Sequence, residues 1–189
     1  YSASIVNILD GAKRDKWFRP SDVKVAPDGS LIVADWYDPG VGGHNMRDLD
    51  RGRLFRVTPK GHKGYKLPKQ NFKTTDGLIA AIKNPNHAVR YVAWMELHKK
   101  QNDVKPALLK LAGDNNPRCR ARALWLLSQI KDNQKAAVAM ALKDKDDNIR
   151  GMSLRIARQH KLDVIPLIKQ LAGDKSALVR RECLIAIRH

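Results

Sequence analysis

Residues 114–124 read DNNPRCRARAL, residues 144–154 DKDDNIRGMSL and residues 174–184 DKSALVRRECL, and residues 84–94, NPNHAVRYVAW, keep the same columns. Arg90, Arg120, Arg150 and Arg180 stand 30 residues apart. Six residues before each lies Asn84, Asp114, Asp144 or Asp174, and immediately before each lies Val89, Cys119, Ile149 or Val179. A small residue follows at the third position (Ala93, Ala123, Ser153, Cys183) and a large apolar one at the fourth (Trp94, Leu124, Leu154, Leu184). Agreement at so many columns marks an internal repeat, and a period of this length is that of a stacked supersecondary unit.

Each unit reads as two helices. The first is short and apolar: Leu78–Ile82, Pro106–Ala112, Ala136–Leu142 and Pro166–Ala172. Pro106 and Pro166 suit a first helical turn, where the missing N–H has no intrahelical partner to lose. A polar turn follows, and the second helix carries apolar residues at helical spacing, as in Val89, Val92, Ala93 and Leu97. Neither helix can bury its stripe alone, so neighbouring units must stack into an α-solenoid. The expected fold class is therefore mainly α: a solenoid of about four helical hairpins over residues 75–189, after a small N-terminal antiparallel β element over residues 1–60 and a basic linker over residues 61–74.

The rest of the chain fits this division. Hydrophobic residues make up 43% of the 189, enough for a packed core. No apolar run approaches the roughly 20 residues of a membrane-spanning helix. Two cysteines and no CxxC exclude a disulfide scaffold and a zinc ribbon from this stretch. The first residue is Tyr1, and the last helix stops mid-pattern, so a longer native chain is expected. The net charge is +17, of which residues 1–70 contribute +5 and residues 71–189 contribute +12.

In the N-terminal part, residues 22–26 alternate, Pro27-Asp28-Gly29-Ser30 turns, and residues 31–36 alternate again. Asp-Gly between two such runs is a hairpin signal. Residues 51–57 read as a third strand, and residues 4–9 as a further strand or short helix.

The repeats resemble HEAT repeats of the short bacterial kind with a D-x5-R core. In such repeats the Asp and Arg form ladders between units, a role the resemblance assigns to Asp114, Asp144 and Asp174 and to Arg90, Arg120, Arg150 and Arg180. Asn84 departs from that pattern. The stretch WFRPSDVKVAPDGSLIVADWYDPGVGGHNMRDLDRGRLFRVTPKG looks like the last blade of the sorbosone/glucose dehydrogenase-like β-propellers of large bacterial proteins. That resemblance implies an extracytoplasmic, periplasmic location. It also implies a parent using pyrroloquinoline quinone (PQQ) and calcium, held by several blades. A single blade cannot close a propeller, so no catalytic residue and no cofactor are expected in this stretch by itself.

Among candidate sites, residues 37–50 (YDPGVGGHNMRDLD) form a long Gly-rich loop, a kind that is often functional. His44 is the candidate cofactor contact, and Asp35, Asp38 and Asp48, with Asp50, are candidate metal ligands. The bland alternative pairs these carboxylates with Arg47, Arg51 and Arg53. The basic excess raises a second possibility, a nucleic-acid track using Arg118, Arg122, Arg155, Arg158, Arg181 and Arg188 with Trp94 or Trp125 as stacking rings. Against it, both tryptophans fall at core-type positions. Cys119 and Cys183 do likewise, and His87, His98 and His160 form no zinc spacing. The reading that fits best is a docking module for a protein partner or for other domains of a parent chain.

Overall fold

The computed structural model describes residues 3–11, 16–37, 51–62 and 66–188. It divides into two compact units, Tyr1–Pro68 and Lys69–His189. The fold is mainly α: a HEAT-like helical repeat with a small antiparallel sheet ahead of it in the chain.

In the first unit, β1 (Pro20–Val25), β2 (Leu31–Asp35) and β3 (Arg53–Val57) form an antiparallel sheet in the order β1-β2-β3. Val25 pairs with Leu31 and Val23 with Val33, and Leu31 pairs in turn with Val57. The β1–β2 connection is a turn in which Gly29 N–H donates to the Ala26 carbonyl at 2.8 Å, with Gly29 at φ 88°. Only glycine takes that angle at little cost, which is why Asp-Gly marks the hairpin. Residues 4–9, expected as a strand or short helix, form neither; Ile5 and Ile8 are exposed there and have no face to bury.

The second unit holds eight α-helices in four hairpins: α1 (Thr75–Lys83) with α2 (His87–Lys100), α3 (Lys105–Ala112) with α4 (Pro117–Gln129), α5 (Gln134–Leu142) with α6 (Asp147–Gln159), and α7 (Ile165–Leu171) with α8 (Ala177–Arg188). A 3-10 turn over Gln101–Val104 leads into α3. The first helices start one to three residues earlier than the apolar runs indicate, through polar residues in α1, α3 and α5 and through the exposed Ile165 in α7. Thr74 caps α1 by accepting from Gly77 N–H, and Asn86, Asn116 and Asp146 cap α2, α4 and α6. Each of these side chains satisfies amides that the helix itself cannot.

The core runs along the stack. Leu78, Ile82, Leu97, Leu108, Leu124, Leu127 and Ile149 belong to one continuous cluster, and Leu154, Leu171, Val179 and Cys183 close the last hairpin. The small column residues Ala93, Ala123 and Ser153 are fully buried. Leu127→Ala is expected to cost about 2–5 kcal/mol of stability. Leu109→Ala, on the exposed side of α3, should stay within about 0.5 kcal/mol. Chemical denaturation followed by far-UV circular dichroism measures both.

Candidate functional site

The repeat columns build one motif four times. At the start of each inter-helix turn, the Oδ1 of Asn84, Asp114, Asp144 or Asp174 accepts the backbone N–H two residues on, at 2.8–2.9 Å. The Arg six residues later folds back over the turn. Its Nη1 donates to the carbonyls of the turn's first two residues: Asn84 and Pro85 for Arg90, Asp114 and Asn115 for Arg120, Asp144 and Lys145 for Arg150, and Asp174 and Lys175 for Arg180. The turn therefore has no orphaned carbonyl at its tightest point.

Two of these arginines also reach the next unit. Arg120 Nε and Nη2 grip Asp144 at 2.9 and 2.8 Å, and Arg150 grips Asp174 at 2.7 and 2.9 Å. These are bidentate, charge-assisted bonds across a 24-residue offset. Arg90 departs from the expected ladder: Asp114 is held by Lys83 Nζ at 2.7 Å instead. Asn84 keeps the local half of the motif, since an amide oxygen caps the turn as well as a carboxylate does. Around Asp144, burial pushes the carboxyl up, but the bonds from Arg120 and the Asp146 N–H outweigh it, and the group stays below the usual range. The hydrogen bond from Arg150, with help from the Ser176 N–H, lowers Asp174 to about 2.

Residue by residue, other expected contacts are taken up by the fold. Arg122 donates to the Ile82 carbonyl at 2.9 Å and so caps the C-terminus of α1; it is not a free cation for a phosphate. Arg155 is forked onto Glu182 at 3.0 and 2.6 Å. Trp94 and Trp125 pack against core clusters, Trp94 stacked on His98 with ring centroids 5.1 Å apart. Both rings are partly spent on packing rather than held free for a base. Cys119 and Cys183 are free thiols in the core, and burial pushes Cys183 up, away from reactivity. Arg118, Arg158, Arg181 and Arg188 are the remaining members of that set.

In the β unit, Asp35 is buried, and both of its oxygens are occupied. Oδ1 accepts the backbone N–H groups of Arg19 (2.7 Å) and Tyr37 (3.0 Å), and Oδ2 accepts Nε and Nη2 of Arg53 (2.9 and 2.6 Å). A cation there must displace a guanidinium, so Asp35 does not fit a calcium ligand and is instead the polar anchor between β2 and β3. Asp38, His44, Asp48 and Asp50 lie outside the described residues. Among the described residues, no group of three or more His, Cys, Asp or Glu side chains converges as a metal site. A cavity of about 590 Å³ opens beside β3, between Leu9, Phe18 and Phe55.

Sequence reasoning missed two features of the last hairpin. Glu182 is a buried carboxylate on α8, held below the usual range by the hydrogen bond from Arg155. It packs at Gly151 of α6, where an added Cβ would sit 3.2 Å from Glu182 Cγ. A glycine in a helix interior was the available signal, since it marks close approach by a neighbour. The second feature is a cavity of about 560 Å³ between the C-terminal end of α6 and α8, with Arg155, Arg158 and Lys161 in its wall. No 30-residue column announces it.

The ladder makes testable demands. Arg120→Ala leaves the largely covered Asp144 carboxylate with only the Asp146 N–H, which is expected to cost about 3 kcal/mol. Lys83→Ala removes an exposed partner of Asp114 and should cost at most about 1 kcal/mol; denaturation midpoints separate the two. The Asp174 carboxyl titrates lower in the folded chain than in the unfolded one, so the stability it contributes is complete above its unfolded pKa of about 3.9 and is lost as pH falls towards about 2. In Arg150→Gln this part of the acid sensitivity should shrink, measured as the pH dependence of the unfolding midpoint.

Residues 75–157 match the family model of HEAT repeats. Residues 11–61 match a domain of unknown function, DUF7133. No curated protein matches the chain. Among solved structures, the MAST/Orbit N-terminal domain is similar at 16% identity with a TM-score of 0.42, over 65% of this chain and 67% of that one.

Proposed function

We propose that residues 69–189 are a non-catalytic docking module. The observation that carries this reading is where the chemistry-bearing side chains are spent. The Asp and Arg columns hold turns and join units, and both cysteines are core. What remains outward is a set of cations and single apolar side chains, Tyr91, Val92, Leu109 and Leu184 among them, on a frame of stacked hairpins. Such a surface positions a partner; among the described residues it gathers no paired acid and base in a cleft to drive a reaction. No helix among the described residues is long and apolar enough to cross a membrane.

The same proposal takes residues 17–61 as the last blade of a sorbosone/glucose dehydrogenase-like propeller in an extracytoplasmic parent. What supports it is the Pro27-Asp28-Gly29 hairpin leading into Ala34-Asp35-Trp36 and a third antiparallel strand. PQQ and calcium, with any part for His44, Asp38 and Asp48, belong to the assembled propeller in this reading.

Lysine-directed crosslinking in the cells that make the protein, followed by binding of the purified chain to the protein captured, tests the docking role. A defined protein partner with a micromolar Kd, near −8 kcal/mol, is expected. Duplex DNA binding with a steep salt dependence and no protein partner replaces the reading with a nucleic-acid solenoid. Sugar turnover by the purified chain with added PQQ and calcium overturns it outright.

A further inference from the structure

The cavity beside α6 and α8 has a composition that the rest of the repeat does not share. In the preceding unit, the columns of Arg155 and Arg158 hold Trp125, packed on the core, and Ser128, fully buried. Here both are arginines, and Lys161 joins them from the turn that ends α6. Leu162 and Val164 from the same connection and Ala186 from α8 supply an aliphatic floor. The one carboxylate bonded in this cluster is Glu182, already gripped by Arg155 Nε and Nη2, with Arg181 Nη2 at 3.3 Å on the same oxygen. Arg158 and Lys161 make no side-chain bond within the described residues. The cavity thus carries fixed positive charge in excess of its own neutralisation, next to apolar surface.

The placement of Lys161 sharpens the argument. Its N–H donates to the Arg158 carbonyl at 3.0 Å, and Leu162 N–H donates to the Ala157 carbonyl at 2.8 Å, which is the Schellman ending of a helix. Lys161 occupies the left-handed position of that motif at φ 54°. Gln101 takes the same left-handed position after α2, at φ 46°, so the backbone belongs to the repeat and what is particular here is that this residue is a lysine in the cavity wall.

Resting on the docking role above, we propose that this cavity receives an acidic linear segment of a partner protein. A carboxylate of the segment sits on Arg158 and Lys161, oriented by the Nη1 face of Arg155, and a neighbouring aliphatic side chain lies on Leu162, Val164 and Ala186. The volume of about 560 Å³ suits a short stretch of peptide. A nucleic acid fits less well: no aromatic ring lines the cavity for a base to stack on, and the cations gather at one point instead of tracking a backbone.

The test uses a fluorescein-labelled hexapeptide of alternating Glu and Leu, read by anisotropy against the whole 189-residue chain. Binding is expected to weaken with salt and to fall about tenfold in Arg158→Ala and in Lys161→Gly, the loss typical of one charge-assisted contact. Lys161→Gly is the decisive variant, because glycine suits the left-handed backbone there and its unfolding midpoint is expected to match or exceed the wild type's. Wild-type affinity in Lys161→Gly, or equal affinity for the Gln/Leu counterpart, overturns the site. So does a duplex DNA that binds with a loss in Lys161→Gly while the peptide does not bind. If the crosslinked partner binds both variants as tightly as the wild type, the docking role stands and this cavity is not its receptor. If no protein partner exists and the peptide still binds with the predicted losses, the docking role fails while the anion-binding chemistry holds.

Discussion

A single guanidinium couples local structure to stacking in this chain. Nη1 of Arg120 and Arg150 closes the turn of its own hairpin, and Nε with Nη2 grips the aspartate that opens the next turn. That aspartate spends its Oδ1 on a backbone amide of its own turn as well. The turns opened by Asp114, Asp144 and Asp174 are therefore tied both to themselves and to a neighbour. Buried ion pairs carry a desolvation cost and do not guarantee net stability. Their contribution here is register. The fork accepts one partner, 24 residues on, so α4 meets α6 and α6 meets α8 at one offset.

Departures from the repeat are where individual units acquire their own properties. In the first hairpin, Lys83 takes the aspartate that an arginine holds elsewhere, at an exposed edge where screening makes the pair weaker. Arg122 turns inward to cap α1, which removes it from the solvent-facing charge. In the last two hairpins, Gly151 lets α8 approach α6 closely enough for Glu182 to be buried and still reach Arg155. The cationic cavity exists because α6 carries arginines where α4 of the previous unit carries a tryptophan and a serine. Function in a solenoid is written in such exceptions, because the conserved geometry of the columns is already occupied with holding the stack.

The β unit follows a different logic. A three-stranded sheet has little interior, and Val33 is its one buried large apolar residue among those described. Its specificity comes instead from Asp35, a buried carboxylate with four donors drawn from three separate residues. Burial pushes that carboxyl up, while the amides of Arg19 and Tyr37 and the guanidinium of Arg53 bring it below the ordinary range. The choice between metal ligand and ion pair for this aspartate could not be made from spacing alone, since Asp35 lies within reach of both an acidic loop and an arginine strand in the sequence.

The helical repeat, its period, its hairpin composition and its core columns were legible in the amino-acid order, because stacking identical units forces identical residues into identical places. The Asp-Gly hairpin was legible for the same reason, as one backbone angle admits few residues. What tertiary structure alone decided were the contacts made once: Lys83 on Asp114, Arg122 on the Ile82 carbonyl, Glu182 under Arg155, and the cavity walled by Arg158 and Lys161. These join residues 27 to 40 positions apart, or three elements at one point, and no periodicity carries them. A repeated contact leaves a pattern along the chain, whereas a unique one depends on how far a side chain reaches across the packed helices, and that distance exists only after folding.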